Sequence, residues 1–102
     1  MRVRFLSVAR RELTQATDYY HAISAELAEG FLDEIELTLQ RIVKHPQAWA
    51  PLSKRSRRCR TNRFPYGIVY QVRTDEVLIV AVMHLARHPD RWRGNPGDPE
   101  SE

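Results

Sequence analysis

The chain has 102 residues, 42% of them hydrophobic and 28% charged, with 4 Gly and 6 Pro. That composition excludes a wholly disordered, collagen-like or low-complexity chain, and the length fits one domain with a modest core and no large internal cavity. The net charge is +3, unevenly spread: residues 1–50 carry six Lys/Arg against seven Asp/Glu, and residues 51–102 carry ten against six.

Arg2-Val-Arg-Phe-Leu alternates charged and apolar residues and predicts a half-buried strand. Ser7 is placed to cap a helix that follows, in which Ala9, Leu13, Ala16, Tyr20, Ile23 and Leu27 recur every three or four residues. A second stripe runs through Leu27, Phe31, Ile35, Leu39, Ile42 and Val43 to Lys44, with Glu26, Glu29, Asp33, Glu34 and Glu36 mostly on its other faces. Ser24 is a second capping position, and a helix of about 36 residues would outrun a globule of this size, so two antiparallel helices are expected over 8–23 and 25–44. His45-Pro46 ends the second, because proline pushes the preceding residue out of helical backbone. Gln47–Arg55 then reads as a connecting loop. Three strands follow: Arg57–Phe64, polar on both faces; Gly67–Thr74, which alternates; and Val77–Leu85, apolar on both faces, with a turn at Asp75 between the last two. The expected architecture is α+β, in the order β-α-α-β-β-β. Two antiparallel helices pack on a mostly antiparallel four-stranded sheet, with Val77–Leu85 in its interior. One domain is expected over residues 1–93, with a frayed tail over 94–102.

Particular residues carry a resemblance. Ala9-Arg-Arg-Glu-Leu13, the Tyr19-Tyr20 pair and Phe31 come before His45-Pro46. Then come Arg60-Thr-Asn-Arg-Phe64-Pro65-Tyr66-Gly-Ile-Val-Tyr70 and Met83-His84-Leu-Ala-Arg87-His-Pro89-Asp-Arg-Trp92. Together they resemble the RelE/ParE superfamily of toxins from bacterial type II toxin–antitoxin systems, closer to its ParE-like, plasmid-stabilising members. The resemblance implies a toxin neutralised by a cognate antitoxin. It also implies one of two targets: RelE-like members cut mRNA on the ribosome, whereas ParE-like members inhibit DNA gyrase.

A metal-independent ribonuclease needs a base for the 2′-hydroxyl, cations around the phosphate and an acid for the leaving oxygen. Arg60, Arg63 and Arg87 can supply the cations, and His84 an acid or base near neutral pH. RelE-like nucleases rely on Lys, Glu or His for proton transfer, often with a Tyr or His near the C-terminus. Here Lys54 stands alone in mid-chain, no Tyr follows Tyr70, and Trp92 holds the C-terminal aromatic position. An indole N–H does not exchange protons usefully. His88 is the remaining substitute. The pattern favours a ParE-like inhibitor of gyrase. A RelE-like endoribonuclease and a non-toxic relic or nucleic-acid-binding module stand as alternatives.

His84 is expected on one face with Leu78, Val80 and Val82, as a structural histidine bonded to backbone or to Tyr70. Lys54, Arg55, Arg57, Arg58, Arg60 and Arg63 form an acid-free basic stretch. With the apolar residues of a half-open sheet, that stretch is expected to receive an antitoxin segment with apolar anchors and acids. Arg58, Arg60, Arg63, Arg87, Arg91 and Trp92 are the candidate contacts to target or antitoxin; the alternative for the last loop is an Arg stacked on Trp92. Cys59 is read as a spare strand residue rather than a reactive thiol. One cysteine and four scattered histidines give no zinc spacing, so neither a metal nor a cofactor is expected. The longest apolar run, from Val77 to Met83, falls short of a membrane span of about 18 residues. No signal peptide is read at the start, and the expected location is the cytoplasm.

Overall fold

The structure, a computed structural model, describes residues 1–87 and 91–94. Strand β1 (Arg2–Phe5) leads directly into helix α1 (Ser7–Ile23), and helix α2 (Ala25–Lys44) follows. Strands β2 (Ala50–Pro51), β3 (Ser56–Arg60), β4 (Tyr66–Val72) and β5 (Glu76–His84) come next, then a single 3₁₀ turn over Arg91–Gly94. The sheet order is β1-β5-β4-β3-β2, with β1 parallel to β5 and every other pair antiparallel.

The helix break falls where the sequence places it. Ser24 has extended backbone, and its hydroxyl accepts from the Leu27 N–H at 3.0 Å. Ser7 does not cap α1. Leu6 still belongs to the sheet, its N–H donating to Ile79 O at 3.0 Å, so Ser7 is already the first helical residue and Leu6 is the cap position. The sheet has five strands rather than four. Ala50 and Pro51 pair with Arg58 and Arg57, a two-residue edge too short to show as alternation and one that tolerates proline. The strand expected over Arg57–Phe64 stops at Arg60, because Thr61–Phe64 turns the chain under a carboxylate from α2.

Strand β5 is interior, between β1 and β4, and both its faces are buried. Val77, Ile79 and Val82 face the helices, against Phe31, Ile35, Ile42, Ile68 and Tyr70. Leu78, Val80, Ala81 and Met83 face the other way. The alternation slips because Tyr70 pairs with Ile79 while Val69 pairs with Ala81, leaving Val80 as the extra residue of a bulge. This slip corrects the expected face of His84: it lies on the helix side with Val82, not with Leu78 and Val80. Over β5 the second face of the sheet is covered rather than open. Trp92, 2% exposed, packs on the second face with Val69, Leu78, Val80, Ala81 and Met83, and Leu6 and Leu52 lie at its margins. Among the described residues no helix is long and apolar enough to cross a membrane.

Candidate functional site

Residues Glu12, Gln15, Ala16 and Tyr19 recur every three or four positions and form one strip of α1. That strip faces the start of β4 at Tyr66 and the end of β5 at Val82–His84, and Arg87 closes the space. The result is a cleft of about 160 Å³.

Its geometry follows from where β1 stops. β1 ends at Phe5 opposite Ile79, so from there β5 runs on with β4 along one edge and no strand along the other. Glu12, 7% exposed, takes that place: its Oε1 accepts from the Val82 N–H at 3.1 Å. Two residues on, the His84 ring meets Tyr66 edge-on at 5.2 Å. His84 Nδ1 accepts from the backbone N–H groups of Ala86 at 3.2 Å and Arg87 at 3.1 Å. These bonds assign the ring proton to Nε2 and use the other nitrogen to hold the turn after β5. The partner of the ring is Tyr66, not Tyr70, whose hydroxyl donates to Pro46 O.

The exposed Arg87 guanidinium lies 5.3 Å from the centre of the Tyr19 ring, a cation–π contact. Burial raises the Tyr66 phenol pKa, and the nearby Arg87 charge partly offsets the rise. Tyr20 is raised by burial and by its tyrosine neighbours, again against Arg87. Both phenols stay protonated at neutral pH and act as apolar rings with a polar tip.

The loop after β3 is built separately. Glu34 of α2, 5% exposed, accepts through Oε1 from the Asn62 N–H at 2.6 Å and the Arg63 N–H at 3.1 Å. Thr61 Oγ1 donates to Phe64 O at 2.8 Å, and Phe64 adopts a φ of 69°, rare for a residue with a side chain. The strained backbone places the Phe64 ring 4.9 Å from Tyr20 and 5.4 Å from Phe31. Much of Arg60-Thr-Asn-Arg-Phe-Pro-Tyr is thus a device that fastens the sheet to the helical hairpin.

The structure brings His84 and Arg87 into one cleft and leaves the other cations elsewhere. Arg58 and Arg60 line a second concavity of about 730 Å³ with Trp49, Phe64 and Leu85. Arg63 is exposed, its guanidinium 5.2 Å from the centre of the Phe64 ring and near Gly30. Trp92 lies inside the second core with Arg93, not Arg87, over its ring at 4.8 Å. The Arg91 side chain, His88 and residues 95–102 lie outside the described residues. Among the described residues no group of three or more His, Cys, Asp or Glu is placed to hold a metal ion.

The sequence matches the family model for the ParE toxin of the type II toxin–antitoxin system parDE over residues 3–89. The chain belongs to the ParE toxin family. The fold is similar to that of a chain from the chromosomal ParDE toxin–antitoxin system of P. aeruginosa, with a TM-score of 0.65 and 16% identity, over 82% of this chain and 95% of that one. No curated protein gives a significant match.

Within this ParE-family chain, two residues that organise the site escape the sequence reading: Glu12 and Glu34. Each lies on the buried face of its helix, Glu12 between Ala9 and Ala16, Glu34 between Phe31 and Thr38. An acid at helical spacing inside an apolar stripe was the available signal. Such a carboxylate is tolerated when backbone N–H groups satisfy it, as they do here.

Proposed function

We propose that this ParE-family chain is a cytoplasmic toxin that acts by binding, inhibiting DNA gyrase until a cognate antitoxin sequesters it. The observation that carries the inhibitor reading is the commitment of His84 Nδ1 to two backbone N–H groups. An imidazole used as a turn clamp is a structural part, and Arg60 and Arg63 stand apart from its cleft. The proposed target contact is the Arg87–Tyr19 pair of this cleft, with Arg91 added on the strength of the sequence alone; Arg58 and Arg60 in the second concavity, and Arg63 by Gly30, are the further candidate contacts. The likeness to a ParDE-system chain supports an antitoxin as partner. With Trp92 covering the outer face over β5 and Val69 of β4, the exposed Tyr19, Ile23, Leu32 and Leu37 make the helical hairpin the better seat for its apolar side chains. A specific antitoxin complex of this kind buries about 1,200 Å² or more in total.

The competing reading, ribosome-dependent mRNA cleavage, draws on the adjacency of His84 and Arg87. Two assays on purified protein separate them: gyrase supercoiling, and cleavage of ribosome-bound mRNA. Inhibited supercoiling without cleavage is expected. Cleavage that disappears in a folded His84→Ala variant would establish the nuclease instead.

A further inference from the structure

The end of the sheet opposite the Arg87 cleft carries a rim of cations. Here β1 and β5 begin, β4 ends, and the chain enters β3. Arg2 and Arg4 come from β1, Arg73 from the turn after β4, Lys54 and Arg55 from the loop before β3, and Arg57 from β3 itself. All but the half-buried Arg57 are exposed. Arg55 stands between two concavities, one of about 630 Å³ shared with Arg4 and Arg73, the other of about 240 Å³ shared with Lys54 and Arg57. The acids lining them are Asp75 and Glu76, and the second is already engaged. Its carboxylate accepts from Arg4 Nε at 2.9 Å and pairs with Arg2 at 3.9 Å.

Three of these arginines are held by acceptors that the fold supplies. Gln71, 1% exposed, accepts through Oε1 from Arg73 Nε at 3.2 Å and Nη2 at 2.7 Å, while its amide donates to Ser56 Oγ at 3.2 Å. The buried Glu76 does the same for Arg4, and Trp49 O accepts from Arg57 Nη1 at 2.7 Å. A guanidinium has five donors, so each of the three keeps several for a ligand. Holding the side chains beforehand also reduces the freedom lost on binding.

From β1 across β5 and β4 to β3 the rim spans three strand-to-strand steps, about 15 Å in all. Cations spread over that distance match a partner with repeated negative charge better than a single anion. The one aromatic residue lining the two concavities, Tyr70, is buried with its hydroxyl tied to Pro46 O, so no ring is offered for an unpaired base to stack on. A duplex needs no such ring. Its phosphates border a major groove about 12 Å wide, within the reach of this rim.

We propose that the rim is a track for the phosphate backbone of a nucleic-acid duplex, bound without regard to sequence. This goes beyond the gyrase reading and does not depend on it. The second concavity, with Arg58 and Arg60, takes no part.

The test is titration of a fluorescent DNA duplex of about 20 base pairs and arbitrary sequence with the full chain, at about 50 and about 200 mM salt. Micromolar binding is expected at the lower salt, weakening as salt rises. Arg55→Gln/Arg73→Gln removes two rim charges, so it should bind at least about tenfold more weakly, with the log–log salt slope reduced by about two. Arg60→Gln should bind nearly as the wild type does, and a thymidine oligonucleotide more weakly than the duplex. Four results would overturn the proposal: no binding at the lower salt, affinity and slope unchanged in the folded double variant, an equal loss in Arg60→Gln, or a single strand bound as tightly as the duplex. If the double variant is unstable through the loss of the Arg73–Gln71 bonds, Lys54→Gln/Arg55→Gln, at two exposed loop positions, decides by the same measure.

Discussion

Glu12 of α1 accepts a hydrogen bond from the backbone N–H of Val82 at 3.1 Å, tying the helix to β5 beyond the reach of β1. A side chain here does what a strand would otherwise do. Replacing it with leucine keeps the volume and orphans a buried N–H, at a cost of about 1–3 kcal/mol. Glu12→Gln retains an acceptor oxygen and should lose less. Urea unfolding of the two variants checks the order, and a Glu12→Leu protein as stable as the wild type would remove this role.

Trp92 closes the second face of the sheet at 2% exposure. Trp92→Ala should cost about 3–5 kcal/mol, a large share of the stability of a domain this size. Toxicity and thermal midpoint should therefore fall together in this variant. Lost toxicity with an unchanged midpoint would return Trp92 to the target contacts.

Burial pushes the Tyr70 phenol up to about 12, against a smaller opposing effect of Arg57. The folded state therefore holds this proton more tightly than the unfolded chain, whose tyrosines titrate near 10. Stability from this group is complete below about pH 10 and is lost as pH rises through about 12, because the folded state binds more protons in that window. Tyr20 and Tyr66, also raised, act in the same direction. Unfolding curves from pH 9 to 12 should show the decline, and Tyr70→Phe should flatten it.

Legibility followed periodicity. The two helices, the Ser24 break and the interior β5 are written in spacing and capping, which act locally. What depends on one residue escaped. The bulge at Val80 turned His84 to the helix side, and nothing in an apolar run of Val, Leu, Ile and Ala marks which residue is the extra one. Trp92 looked like a surface aromatic because its partners, Val69 and Leu78 among them, are distant in sequence. His84 and Arg87 were legible as neighbours from their spacing. Their separation from Arg60 and Arg63 was not, since it rests on where Glu34 anchors the loop after β3.

Cys59 is 1% exposed, and burial raises its thiol pKa despite the neighbouring Arg41. A thiol that is both covered and protonated reacts slowly. Labelling with an aromatic disulfide reagent should be slow in the native protein and fast in denaturant. Rapid native labelling would place Cys59 in an accessible, electropositive setting.

Inhibition through the Arg87–Tyr19 surface is what the proposed function rests on. Its most direct test is titration of purified gyrase supercoiling with the wild-type chain and with Arg87→Gln, whose exposed side chain leaves the core untouched. The wild type is expected to inhibit, and Arg87→Gln, with an unchanged thermal midpoint, to need about tenfold more protein or worse, equivalent to about 1.4 kcal/mol. Undisturbed supercoiling at saturating wild-type protein, or equal potency of the folded variant, would contradict it.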